Sequence, residues 1–170
     1  MRRVQVEALS SVTPFDISHL VRRFFGTLLA TPLTPAEQRI VAVRLRPPER
    51  HLFWAQAPAD QRHAFETMRR AAIHSDSWEL LNAALLHDVG KAHSSLGAVG
   101  RSVATVLDAM GASLPAEMRA YRAHGELGAM VLEDAGASAI AMDFARRHPD
   151  PDPQSHDAAA WRILLDADDI

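Results

Sequence analysis

The stretch Leu80-Leu81-Asn82-Ala83-Ala84-Leu85-Leu86-His87-Asp88-Val89-Gly90-Lys91 (80–91) decides how the rest of the chain is read. From Trp78 to Asp88 it is a strongly apolar helix, and Gly90 is a natural helix stop. The helix ends on His87 and Asp88. Neighbouring side chains in a last turn can fan to the same side, so this pair can converge on one ion. Taken alone, the pair also fits a salt-bridged pair on the surface.

Working outward, helical periodicity continues nearly everywhere, and β-branched residues never accumulate into strand-like runs. The fold class expected is all-α. Asp16 or Ser18 can open a helix over roughly 16–30, with Leu20, Phe24, Phe25 and Leu28 on one face. Thr34-Pro35-Ala36-Glu37 reads as a capping box that starts a helix to about Arg46. Pro47-Pro48 ends it, and a short helix from Glu49 to Gln56 presents Leu52, Phe53 and Trp54. Pro58 begins a helix to about His74, and Ser75-Asp76-Ser77 forms a turn and cap. A loop with Gly97 and Gly100 leads to a helix over 101–110, closed by Gly111. Pro115 starts a helix that is kinked or broken near Gly125 and stops near Gly136. Ser138 caps the next, to about His148. Pro149, Pro151 and Pro153 stiffen a connector to a last helix from about Ser155 to Ile170. Residues 1–56 are expected to pack as a helical extension on a domain formed by 57–170. Trp54 and Trp78 are expected to be core anchors.

Composition narrows the function classes. The chain has 170 residues, 48% of them hydrophobic, and no cysteine. Disulfides, thiolate metal sites and cysteine nucleophiles are therefore excluded, and any metal must be held by His and Asp or Glu. No apolar run reaches the roughly 18 residues that a bilayer requires. The opening Arg2-Arg3 has no apolar segment behind it, so a signal peptide is not expected and a cytoplasmic location is. Residues 1–70 carry eleven Arg against six acids, a net +5, while residues 71–170 carry seven basic residues against fifteen acids, a net −8. The first half reads as a solvated Arg-rich face, or as an anion-attracting rim beside an acidic cradle. A pI near 6.3 without Lys clusters argues against nucleic acid as a partner. Lys91 is the single lysine in the chain.

Spacing then brings the histidines together. His63 lies 13 residues before Asp76 and His87 lies 11 after it. If the helices flanking the turn form an antiparallel hairpin, both sit roughly 17–20 Å from it and are level with each other. His124 and His148 each lie 12 residues from Gly136, so a second hairpin would level them too. Asp168 lies beside the apolar stripe Trp161, Ile163, Leu164 and Leu165, where an unpaired carboxylate would be costly. Asp166, about 200° away around the helix, is the nearby alternative, and only one of the two can face the site; the Ala-Asp context favours Asp168. His19, His51, His74 and His156 read as surface residues, and His93 as a loop residue near the motif that could touch substrate.

The pieces DQRHAFETMRRA (60–71), LLNAALLHDVGK (80–91), AHGELGAMVLEDAG (123–136), ARRHPDP (145–151) and ILLDADDI (163–170) resemble the HD-domain superfamily of metal-dependent phosphohydrolases. The resemblance spans about two-thirds of the chain, residues 60–170. It implies an HD-type helical bundle. It implies that His63, His87, Asp88 and Asp168 match the ligands of a primary metal. His124 and His148 match the extra histidines of branches that bind a second, with Asp88 bridging. Lys91 matches a lysine that contacts a substrate anion or assists the leaving group, so Asp88 and Lys91 are the candidate catalytic residues. The Gly-Tyr-Pro motif of the cyclic-dinucleotide-cleaving branch is missing: His148 is followed by PDPDPQ.

The activity implied is hydrolysis of a phosphate ester or nucleotide through a metal-activated hydroxide, with one or two divalent ions (Mn, Fe, Mg or Zn) and a small anionic, phosphate-containing substrate. Arg122, Arg146 and Arg147 could line the pocket. Two other readings stay open: a di-iron oxygenase of the same fold, and a non-catalytic metal-binding regulatory module. The apolar face of helix 16–30 could support a homo-oligomer.

Overall fold

In the computed structural model, the described residues are 31–93, 124–148, 150–154 and 156–169. They form seven α-helices and one 3-10 turn, with no strand among them. The helices are α1 (Pro35–Arg44), α2 (Pro47–Ala55), α3 (Pro58–Ala71), α4 (Trp78–Leu86), α5 (His124–Asp134), α6 (Ala139–Arg147) and α7 (Ala158–Asp168); the 3-10 turn is Val89–His93. The all-α expectation holds. The expected helices over 16–30 and 101–110, the stretch 115–123, and Arg122 and His19 lie outside the described residues. No helix among those described is long and apolar enough to cross a membrane.

Local chemistry sets the helix ends. Thr34 caps α1 as expected: its backbone N–H donates to Glu37 Oε2 at 2.7 Å, and its hydroxyl accepts from the Glu37 N–H. Arg62 holds this corner onto α3, donating to both Glu37 oxygens at 2.8 Å. Pro47-Pro48 does more than break a helix. Pro47 begins α2 and both prolines occupy its first turn, where a missing N–H costs nothing. The buried Glu49 accepts from the Arg46 N–H, closing that end. Ser77 caps α4, with its hydroxyl accepting from the Leu80 N–H. Gly136 ends α5 at φ +66°, a left-handed conformation that glycine adopts freely. Gly136 N–H donates to Glu133 and Ala137 N–H to Leu132, the paired bonds of a Schellman motif. The last helix opens at Ala158, capped by Asp157, three residues later than the expected Ser155.

Helix α4 is the axis of the molecule. Every residue from Leu80 to Gly90 is buried. A helix apolar on all sides must be covered on all sides. Here α3, α6, α7 and α2 pack around α4. Val41, Leu45 and Phe53 from α1 and α2 join the same core as Phe65, Leu85, Leu132, Phe144, Trp161 and Leu164. Two expected anchors are corrected. Trp78 is 51% exposed and Trp54 37% exposed. Trp78 is the first residue of α4, beyond the encircling helices, where the Arg44 guanidinium covers its ring at 4.8 Å. The tryptophan that anchors the core is Trp161, 1% exposed, edge-on to Phe144.

This packing orders the cost of truncations. Leu85→Ala should lower the unfolding free energy by about 2–5 kcal/mol, whereas Trp78→Ala should cost less than half as much despite removing a larger side chain. Urea unfolding of both variants checks it; an equal or larger loss for Trp78→Ala would contradict the placement of α4.

Candidate metal centre

Two helical hairpins meet at the end of α4. In the first, α3 and α4 run on either side of the Ser75–Ser77 turn. His63 on α3 and His87 at the end of α4 are level, as the spacing predicts, with ring centroids 5.2 Å apart. In the second, α5 and α6 flank Gly136. His124 is the first described residue of α5 and His148 caps the end of α6, with ring centroids 5.9 Å apart. His87 and His148 approach to 5.0 Å and join the two pairs.

Helix α4 stops at Leu86, two residues short of the expected Asp88. His87 is its C-cap, and the chain then tightens into the 3-10 turn, where Lys91 N–H donates to the Asp88 carbonyl at 2.9 Å. The turn folds the Lys91 ammonium back onto Asp88 Oδ2. The tight turn also lets α5 come close. A Cβ at Gly90 would stand 1.9 Å from the His124 carbonyl oxygen and 2.7 Å from the Gly128 nitrogen. A Cβ at Gly125 would stand 2.8 Å from the Arg146 carbonyl oxygen. Side chains at these positions would wedge α5 away from Asp88 and α6. Gly90 and Gly125 therefore permit close backbone contact; the expected kink near Gly125 depends on residues 115–123, which lie outside the described residues.

Asp88 lies at the middle, 0% exposed, and its two oxygens face different partners. Oδ2 lies 3.3 Å from His87 Nε2 and 3.8 Å from His63 Nε2. Oδ1 lies 3.6 Å from His148 Nε2 and 3.8 Å from His124 Nε2. Asp168, the last residue of α7, completes the first group, with Oδ1 2.9 Å from His63 Nε2 and 3.1 Å from His87 Nε2. Asp166 instead faces outward and pairs with Arg162. All six residues singled out from the sequence as ligand types are thus brought together, with Lys91 beside them.

The protonation pattern of the site asks for a cation. His87 Nδ1 lies 2.9 Å from the Ala84 carbonyl, and His148 Nδ1 lies 2.8 Å from the Phe144 carbonyl. A carbonyl can only accept, so both rings donate through Nδ1 and turn Nε2 toward the carboxylates. His87 Nε2 and Asp88 Oδ1 are buried and make no hydrogen bond. With His87 neutral, its Nε2 lone pair would face carboxylate lone pairs in a buried site, and these repel unless a proton or a metal ion lies between them. Donor atoms each about 2.1 Å from one ion stand roughly 3–3.5 Å apart, close to the separations found here. Three overlapping trios, His63/His87/Asp88, His87/His148/Asp168 and Asp88/His124/His148, could each hold a metal ion, with ligand atoms within 4.8 Å of one another.

Other candidates fall elsewhere. Arg146 pairs with Glu126 and Asp143, and Arg147 covers the Trp161 ring and donates to the Asp152 carbonyl. Neither is bonded to the cluster. His51 and His74 are exposed as expected. His156 is not a plain surface residue: it is half-buried, stacked on Trp161, with Nε2 2.8 Å from Asp143 Oδ2. His93 belongs to the 3-10 turn.

Compared with protein-family models, with curated proteins and with solved structures, the chain gives no significant match.

The buried charges give the metal-free protein a pH signature. Burial opposes a charged His87, but the Asp88 and Asp168 carboxylates outweigh it and raise the imidazole from 6.5 to about 10. Burial also opposes ionised Asp88 and Asp168. Lys91 and His87 overcome it at Asp88, and His87 and His63 at Asp168, leaving both carboxyls below the ordinary 3.8. The raised histidine contributes stability that is complete below 6.5 and lost as pH rises through about 10. The depressed carboxyls contribute stability that is present above 3.8 and lost as pH falls below it. In chelator, urea midpoints should therefore be highest between pH 3.8 and 6.5 and decline toward 10. His87→Gln should lose the alkaline decline and also weaken the acid one, since the His87 cation helps lower both carboxyls; a wild-type midpoint that is flat to pH 10 would contradict this.

Proposed function

We propose that the chain is a metal-dependent phosphohydrolase of the HD type, acting on a small phosphate ester or nucleotide. The observation that supports this most is the buried Asp88 carboxylate, with one oxygen toward each histidine pair. In this reading His63, His87, Asp88 and Asp168 hold one divalent cation, and Asp88, His124 and His148 hold a second. Two such ions would supply Lewis-acid charge to a phosphoryl group and make water a nucleophile near neutral pH. The resemblance of the HDVGK segment and its flanking histidines to the HD superfamily supports the same reading.

The residues of the chain have distinct tasks in it. The Ala84 and Phe144 carbonyls fix the tautomers of His87 and His148, so each ring presents Nε2 to the site. Asp88 joins the two halves and is kept ionised by Lys91 and His87. Lys91 places an ammonium next to Asp88 Oδ2, where it can attract a phosphate oxygen or stabilise charge on a departing one. Two carboxylates and neutral imidazoles cannot cancel two divalent ions, so the loaded centre is net positive and suits an anionic substrate.

The test is hydrolysis of p-nitrophenyl and bis(p-nitrophenyl) phosphate and of nucleotides by protein loaded with Mn²⁺, Mg²⁺, Zn²⁺ or Fe²⁺. Turnover should vanish in Asp88→Asn. Lys91→Ala should retain metal and lose about 10²- to 10³-fold in kcat, the cost of removing one group that stabilises developing charge. Absence of turnover with every metal would refute the proposal, as would O₂ consumption by iron-loaded protein in its place.

A further inference from the structure

The least secure ligand, by its place in the fold, is Asp168. It is the final residue of α7, and the Asp169 N–H closes that helix by donating to the Leu165 carbonyl at 3.0 Å. The last turn of a helix leaves its carbonyls without intrahelical partners and is prone to fray. A carboxylate carried there would wander unless something held the backbone.

Helix α3 holds it at two points. His63 reaches the Asp168 side chain, with Nε2 2.9 Å from Oδ1. Seven residues on, close to two helical turns and so on the same face, Arg70 Nη1 donates to the Ala167 carbonyl at 3.0 Å. Ala167 is buried, 4% exposed, and its carbonyl is one of the orphans of that last turn. The guanidinium satisfies it and sets a positive charge at the negative end of α7. The neighbouring Arg69 turns instead to Glu66. The two restraints differ in kind. The His63 contact uses the donor atoms that would bind an ion, so an ion would replace it. The Arg70 bond uses backbone and is independent of the ion.

We infer that Arg70 is a positioning residue for Asp168: it clamps the end of α7 so that the carboxylate stays aimed at His63 and His87. The inference rests on the metal-centre reading above. Arg70 does not touch the ion or the substrate. Its role is to keep the first half of the centre assembled before metal arrives. The second half, built on α5 and α6, does not depend on it.

The experiment titrates Mn²⁺ into metal-free wild type, Arg70→Ala and Arg70→Lys by calorimetry, and records Co²⁺ absorption of the same proteins. Amide exchange of Asp169 and Trp161 is followed without metal. Wild type should show two binding events. Arg70→Ala should weaken one by about 10- to 100-fold, as loss of a ligand-orienting partner does, and leave the other within about threefold. Its Co²⁺ spectrum should change, Asp169 should exchange faster, and Trp161 should be unaltered. Arg70→Lys should recover most of the affinity. Unchanged Mn²⁺ affinity in Arg70→Ala, even with faster exchange at Asp169, would overturn the inference alone. Equal weakening of both events with a lower melting temperature would make Arg70 a general stabilising residue and overturn it too. A wild type that takes up no Mn²⁺ would overturn the metal reading, and the inference with it.

Discussion

A carboxylate with no access to water, Asp88, governs the arrangement of this protein. Removing such a charge from solvent costs several kcal/mol, and only close positive partners offset it. Lys91 supplies one through the 3-10 turn, and the buried His87 supplies another when protonated. Both are sequence neighbours of Asp88, so the end of α4 carries its own compensation. The far oxygen, Oδ1, has no such neighbour. It faces His124 and His148 from the other hairpin without a hydrogen bond. A site in which one oxygen is compensated locally and the other waits on distant imidazoles is suited to a charge added from outside.

The packing follows from this. Helix α4, buried from Leu80 onward with Asn82 its single buried polar side chain, delivers His87 and Asp88 to the depth of the core. Glycine at 90 and 125 lets α5 slide against the 3-10 turn and α6, which brings His124 within reach. Arg46, between α1 and α2, ties the second hairpin to these helices, donating to Glu49 at 2.7 Å and to the Gly136 carbonyl at 2.5 Å. The turn that levels His124 with His148 is thereby anchored to the first two helices. Helices carry the candidate ligands: His63 and His124 lie in α3 and α5, His87 and His148 cap the ends of α4 and α6, Asp168 is the last residue of α7, and Asp88 follows His87 directly.

Much of this was legible in the sequence, for physical reasons. Helical periodicity, proline starts and the Thr34 and Ser77 caps act locally, so they can be read locally. Counting residues from a turn works because helical rise is constant; this is why His63 met His87 and His124 met His148. The angle between Asp166 and Asp168 means that only one can face the site, and the Ala-Asp context favoured Asp168. What escaped was long-range. Trp78 looked like a core residue because its helix is apolar, yet its exposure depends on where the neighbouring helices end. Gly90 and Gly125 looked like local breakers, while Gly90 meets the backbone of α5 from the other hairpin and Gly125 the backbone of α6, its own hairpin partner. Arg70 carries no local signal at all, since its partner is a carbonyl 97 residues away. The stacking of His156 on Trp161 likewise depends on how the proline connector lies on α6 and α7.

Metal stoichiometry tests the central claim most directly. The protein would be purified without chelator and analysed by elemental analysis, beside His124→Ala/His148→Ala and His87→Ala/Asp88→Ala. The account predicts close to two equivalents of a divalent metal in the wild type. It predicts close to one when the second histidine pair is removed, and none when the His-Asp pair is removed. Equal metal content in all three proteins, or none in the wild type after divalent ions are supplied, would contradict it.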